Sequence, residues 1–333
     1  MKAFVVERYG KKHAIRMAER PEPAPGEDEV LVEIHAASVN PLDAMLRAGE
    51  FKLLLPYKLP LILGNDFAGV VIRVGARVRS FKPGDEVYAR TDTDRAGSFA
   101  ERIAIRESSL AHKPKTLSME QAASIPLVGL TAWQALIDQA SVKAGQKVLI
   151  HAGSGGVGSF AIQLAKHLGA TVATTTSTAN VGWVKGLGAD VVVDYKTQAF
   201  EQVLGGYDFA LNSLKGDTLE RSLRVLKPGA LAISLSGPPD KAFAQALGLN
   251  GMLQLVMSLL SFGIRRKAAA RQLRYSFLFM RPSGEQLAKI AALVDAGTIR
   301  PVVDRLFPFE STPDALAYVE QGRAKGKVVI KIK

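Results

Sequence analysis

The sequence predicts a two-domain α/β chain in which an irregular β-domain precedes a doubly wound parallel sheet. Three observations carry that expectation. The 333 residues, 47% of them hydrophobic, exceed what one ordinary core organises. Residues 147–235 alternate short apolar strands with helical stretches, as in a parallel sheet covered on both faces. A glycine-rich turn stands between the first of those strands and the helix after it.

Residues 1–110 read as short strands joined by Gly/Pro turns. Val30, Val32 and Ile34 alternate with Glu33 and His35, as in a half-buried strand. Val70, Val71 and Ile72 precede Gly75, and Val87-Tyr88 follows Lys82-Pro83-Gly84-Asp85. Proline then glycine at the centre of that tetrapeptide suits a type II turn, because its third residue takes positive φ. Near Ser118 the pattern changes, and residues 121–139 are helical in tone. A strand at 147–150 leads into a helix at 157–168, with Val157, Ala161, Leu164, Ala165 and Leu168 on one face. Gly169 stands where a helix end takes left-handed geometry. Strands follow at 171–175, 191–193, 209–211 and 230–235, with a helix near 218–226 that ends at Lys227-Pro228-Gly229. After Phe262 the alternation fades. A strand at 275–279, helices near 284–296 and 313–321, and a last strand at 327–332 are expected to return to the first domain. In that last strand Val328, Ile330 and Ile332 alternate with lysines. The expected division is 1–120 with 265–333 for one domain and 121–264 for the other.

Composition narrows the function classes. With no cysteine there are no disulfides, thiolate zinc sites or cysteine nucleophiles. Met1 runs straight into an apolar strand with no secretory pattern, so a cytoplasmic protein is expected. The longest apolar stretch, 248–264, contains Asn250 and Gln254 and is short for a membrane span, so no integral membrane protein is expected. The net charge of +12 favours anionic ligands. Its densest cluster is Arg265-Arg266-Lys267 with Arg271 and Arg274. It lacks interleaved aromatic residues, and no specific nucleic-acid partner is expected.

The chemistry concentrates at Gly153-Ser154-Gly155-Gly156-Val157-Gly158. Gly153, Gly155 and Gly158 have the G-x-G-x-x-G spacing, following a strand and opening a helix. Glycine is needed because the turn is tight and the backbone must approach a pyrophosphate, whose charge the helix N-terminus holds. An NAD site places Asp or Glu about 20 residues on. That region here is Thr174-Thr175-Thr176-Ser177-Thr178, with no carboxylate before Asp190. The hydroxyls of Thr176, Ser177 and Thr178 can donate to a 2′-phosphate and Lys185 can pair with it, so NADPH is the expected cofactor.

With those residues in view, the chain resembles the medium-chain dehydrogenase/reductase superfamily. Within it, the resemblance is to the zinc-free quinone oxidoreductase branch, with its zeta-crystallin-like and reticulon-interacting members. Ser38-Val39-Asn40-Pro41-Leu42-Asp43, Leu63-Gly64-Asn65-Asp66-Phe67-Ala68-Gly69, Gly97-Ser98-Phe99-Ala100-Glu101 and Leu130-Thr131-Ala132 carry it. So do Gly188-Ala189-Asp190 before Asp194-Tyr195 and the tail from Gly322 to Val329. The resemblance implies a GroES-like first domain and a Rossmann second domain. It implies Ser154 to Val157 on the pyrophosphate, and Ser177, Lys185 and Tyr195 around the 2′-phosphate. Thr131 and Asn40 would lie near the nicotinamide, Leu235, Ser236, Tyr275 and Phe277 beside it, and Arg323, Ala324 and Lys325 over the cofactor. It also implies a homodimer through the edge of the cofactor-domain sheet. Asn212 and Ser213 depart from the family pattern, which has Asp-Thr or Asp-Cys there.

Zinc-dependent relatives carry ligands near Asn40, Asn65 and Leu127, and no ligand type stands at any of the three. Without a Lewis acid, alcohol oxidation is hard, whereas a quinone or enone already accepts a hydride. Asn40 is the first candidate for the hydrogen bond to the substrate carbonyl, with Asp43 and Tyr57 as further catalytic candidates. Asp43 could instead orient Asn40 or cap a helix, and Tyr57 could line a wall. The expected activity is NADPH-dependent reduction of a quinone or enone. An alkenal or acryloyl double-bond reductase, or an NADPH-binding regulatory protein with vestigial catalysis, stands beside it.

Overall fold

The computed structural model describes residues 1–52, 54, 55 and 57–333. It divides into two compact units, Met1–Leu130 with Arg281–Lys333, and Thr131–Met280.

The first unit is built on the long strand Glu29–Val39. That strand pairs antiparallel with Asp66–Val74, with Arg102–Arg106 and, near its C-terminal end, with Lys327–Lys331. Val30, Val32, Ile34, Phe67, Val71, Val87 and Ile105 fill one core of this unit. The expected turn is present: Asp85 N–H donates to Lys82 O at 3.2 Å, and Gly84 has φ of 94°.

The second unit is one six-stranded parallel sheet. Its order is Val191–Asp194, Thr171–Thr176, Lys147–Ile150, Tyr207–Asn212, Leu226–Ser234 and Arg274–Phe277. Lys147–Ile150 sits between its two directions of winding, and such a sheet takes its ligand at the carboxyl ends of the strands around that point.

Three expectations are corrected. The boundaries fall at 130/131 and 280/281 rather than 120/121 and 264/265. The helix Met119–Ala123 packs on the first unit's strands, and Arg274–Phe277 pairs with Leu226–Ser234 in the second unit's sheet. Lys227-Pro228-Gly229 does not end a helix, because the helix is only Thr218–Ser222 and the strand Leu226–Ser234 runs through these residues. A register shift opposite Tyr207 and Phe209, together with Gly229 at φ 84°, accommodates a proline that has no N–H for the ladder. Finally, the last strand does not alternate, since Lys327, Val328, Val329 and Ile330 are all buried.

Candidate cofactor and catalytic site

In the second unit, the strand Lys147–Ile150 passes through His151 and Ala152 (φ 53°) into the turn before the helix Gly156–His167. A Cβ on Gly153 would lie 2.3 Å from Thr174 Oγ1, and one on Gly158 would lie 2.2 Å from the Ala152 carbonyl oxygen. Those two glycines are therefore set by close approach. Gly155 caps the helix and has more room, its Cβ meeting only Ala152 O at 3.4 Å. Gly153 and Gly158 are buried, whereas Ser154, Gly155, Gly156 and Val157 remain partly accessible at the helix N-terminus. The first turn of N–H groups lacks intrahelical acceptors and suits a phosphate.

His151 supports this turn from below. Ser222 gives its hydroxyl hydrogen to Thr218 O at 2.6 Å, so the 2.8 Å contact to His151 Nε2 requires the ring to donate there. Nδ1 then accepts from Thr175 Oγ1 at 3.0 Å. Burial and the nearby Arg221 push the imidazole down to about 3, so it stays neutral.

At the end of Thr171–Thr176, Thr176 Oγ1 is buried and has no hydrogen-bond partner. Tyr195 N–H donates to Thr176 O at 3.1 Å, bringing the exposed Tyr195 beside this strand end. Ser177 Oγ accepts from Asn180 Nδ2 at 3.1 Å, and Lys185 is exposed on the helix Val181–Gly186. One expectation changes here. The Thr178 hydroxyl donates to Asp194 Oδ2 at 2.6 Å and is spent on that carboxylate. Asp194 is distant in sequence but pairs with Thr176 across neighbouring strands. The hydrogen bond from Thr178 holds the Asp194 carboxyl below its usual range.

At the other strand ends, Asn212 Nδ2 donates to Leu214 O at 2.9 Å, and Leu235 N–H donates to Asn212 O at 2.9 Å. Asn212 therefore orders its own loop, with no acid needed. The Ser236 hydroxyl donates to Leu214 O at 2.8 Å. Tyr275 donates to Pro238 O at 2.6 Å, and Phe277 N–H to Asp240 Oδ2 at 3.0 Å, tying both to the loop after the fifth strand. Asn212, Lys215, Ser236, Gly237 and Lys267 border a hollow of about 400 Å³ in this region. Thr131 is buried in the helix Pro126–Trp133.

The first unit holds a buried polar cluster. Lys327, 5% exposed, donates to Asn40 Oδ1 at 2.5 Å and to Val39 O at 3.2 Å, and its ammonium lies 3.5 Å from Asp66 Oδ2. An ammonium has only donors, so the carbonyl of Asn40 must face it. The Asn40 amide group then donates to Asp66 Oδ2 at 2.9 Å and, weakly, to Ser38 O at 3.4 Å. Asp66 also accepts from the Ser38 hydroxyl at 2.9 Å and from Leu127 N–H at 2.8 Å. Asn40 is thus a buried connector between Lys327 and Asp66. Asp43 is buried as well, accepting from Asn40 N–H and Asn65 Nδ2 at 2.7 Å each. It holds the start of the helix Pro41–Ala48, and burial lifts its carboxyl to about 7. The Tyr57 hydroxyl donates to Thr93 O at 2.9 Å, and burial lifts it to about 12. Arg323 and Lys325 are exposed and Ala324 half-buried, in the loop before Lys327–Lys331. Lys327 and Asp66 lie outside the residues that the sequence singles out for this cluster.

Residues 26–115 match the Alcohol dehydrogenase GroES-like domain family, and residues 187–330 match the Zinc-binding dehydrogenase family. The chain is 38% identical to the mitochondrial NAD(P)H oxidoreductase RTN4IP1 of Danio rerio, over 100% of this chain and 91% of that protein. It is 34% identical to the chloroplastic NADPH-dependent alkenal/one oxidoreductase of Arabidopsis thaliana, over 99% of this chain and 79% of that protein. Among solved structures, the quinone oxidoreductase from Coxiella burnetii superposes with a TM-score of 0.87 at 32% identity, over 100% of this chain and 99% of that one.

Proposed function

The chain belongs to the quinone oxidoreductase branch of the medium-chain dehydrogenase/reductase superfamily, and from that premise we propose that it is an NADPH-dependent reductase that passes hydride to a quinone or enone without zinc. The carrying observation is the Lys327 ammonium hydrogen-bonded to Asn40 and facing Asp66. These residues do not fit a zinc ion. Asn40 and Asn65 are weak neutral donors to a metal, Leu127 offers no side-chain ligand, and a buried cation already neutralises Asp66. A second cation there would be repelled.

NADPH fits the second unit better. When bound, the cofactor supplies the hydride; the chain's residues hold and orient it. Gly153 and Gly158 let the turn pack tightly against Thr174 and the Ala152 carbonyl, and the N-terminus of Gly156–His167 takes the pyrophosphate. The unpartnered Thr176 Oγ1 gains a partner from the adenosine end. Lys185, Ser177 and Tyr195 supply charge and donors for a 2′-phosphate, with Asp194 kept occupied by Thr178. Tyr57 holds its proton at neutral pH and serves as a hydrogen-bond donor once it leaves Thr93 O, not as a base.

The experiment is an acceptor panel followed by NADPH absorbance. Turnover with ortho- and para-quinones or with enones, and none in the reverse direction with primary alcohols and NADP⁺, supports this reading. Alcohol oxidation at comparable rates, or no turnover despite tight NADPH binding, refutes it.

A further inference from the structure

The helix Gly251–Leu260 is turned inside out. Met252, Leu255, Val256, Leu259 and Leu260 follow the i, i+3, i+4, i+7, i+8 spacing that marks the core-facing stripe of a surface helix. Here that stripe faces solvent: Met252 is 77% exposed, Leu255 60% and Leu259 65%. Met257, on the opposite side, is the buried one. Phe262, 56% exposed, and the exposed Arg266 continue the spacing after the single linking residue Ser261.

Charge says what this face meets. The charged residues from Lys241 to Met280 are Lys241, Arg265, Arg266, Lys267, Arg271 and Arg274, all basic. Arg265 folds back onto Ser258 and Ser261, and Lys267 pairs with Glu220. Lys241, Arg266, Arg271 and Arg274 are exposed. A two-fold contact between copies through this patch would bring like charges together, because the acid beside it, Glu220, is already paired with Lys267. An apolar stripe beside exposed cations instead matches an anionic bilayer surface, with the apolar side chains at the headgroup–acyl boundary and the cations on lipid phosphates. No helix among the described residues is long and apolar enough to cross a membrane, so such contact would be peripheral. We propose that the helix Gly251–Leu260 and the adjoining basic helix Phe262–Ala269 dock the protein on an anionic lipid surface.

Flotation of the full chain with phosphatidylcholine vesicles, with and without phosphatidylserine, tests this. The unmodified chain should float only with phosphatidylserine present, and less so in high salt. Leu255→Glu with Leu259→Glu should lower the bound fraction roughly tenfold or more, at unchanged thermal melting, because both sites are exposed. Arg266→Glu with Arg271→Glu should lower it by at least roughly fivefold per residue. Absence of flotation with phosphatidylserine, or equal flotation of all variants, would overturn the proposal. So would light scattering that shows a dimer converted to monomer by the leucine substitutions, since a second copy would then cover the stripe.

Discussion

Lys327 and Asn40, 287 residues apart in sequence, share a 2.5 Å hydrogen bond inside the first unit. The closing strand thereby fixes which way the Asn40 amide points, and the same ammonium balances the buried Asp66 carboxylate. Lys327→Met should destabilise the protein by about 3 kcal/mol, because it leaves a buried carboxylate without its counter-charge. Adding Asp66→Asn should recover part of that loss. Urea unfolding of the single and double variants measures both. An unmoved midpoint for Lys327→Met would show that the pair does not matter to stability.

The glycine-rich turn gives a graded prediction. Gly158→Ala and Gly153→Ala place a Cβ at 2.2 and 2.3 Å from Ala152 O and Thr174 Oγ1 and should each cost about 1–3 kcal/mol. Gly155→Ala has 3.4 Å of room and should fold nearly normally. Calorimetric melting of the three variants checks the order, and equal effects at all three would contradict it.

Discrimination between the two nicotinamide cofactors should follow Lys185. Lys185→Ala should raise the KM for NADPH roughly tenfold while changing that for NADH little, as expected for one charged hydrogen bond to phosphate. Ser177→Asp should add repulsion and push preference further toward NADH. Steady-state kinetics with each cofactor reads both changes.

His151 makes stability depend on pH. Its folded pKa of about 3 lies below the unfolded value of 6.5, so the unfolded chain binds the extra proton. The associated stability is intact above pH 6.5 and falls as pH drops below it, by about 2 kcal/mol at pH 5. His151→Gln should be less stable at pH 7 yet show a shallower loss between pH 7 and pH 5. Parallel slopes for the two proteins in urea titrations would contradict this.

The second unit was largely legible because its signals are local. The glycine spacing, the strand at Lys147–Ile150 and the left-handed Gly169 are each fixed by neighbouring residues. What escaped depends on strands meeting in space. Asp194 reaches Thr178 only through parallel pairing, and a scan of the residues after Gly158 stops before it. Lys327 looked like one of the solvent-facing lysines of a terminal strand. Its burial follows from the strand's pairing beside Val39, where it faces the buried Asp66 carboxylate. Pro228 and Gly229 resemble a helix stop in any local window, and only the register shift against Tyr207–Asn212 keeps them in a strand. Asn40 stands out in the sequence, but its contacts to Lys327 and Asp66 depend on strands that meet only in the fold.

The central claim is zinc-independent reduction with NADPH preferred, and one measurement tests it most directly. The protein is dialysed exhaustively against a metal chelator, and kcat/KM is measured with NADPH and with NADH against the best quinone or enone. The account requires activity equal to that of untreated protein and a value for NADPH at least about tenfold above that for NADH. Activity lost on chelation and restored by zinc, or equal values for the two cofactors, would contradict it.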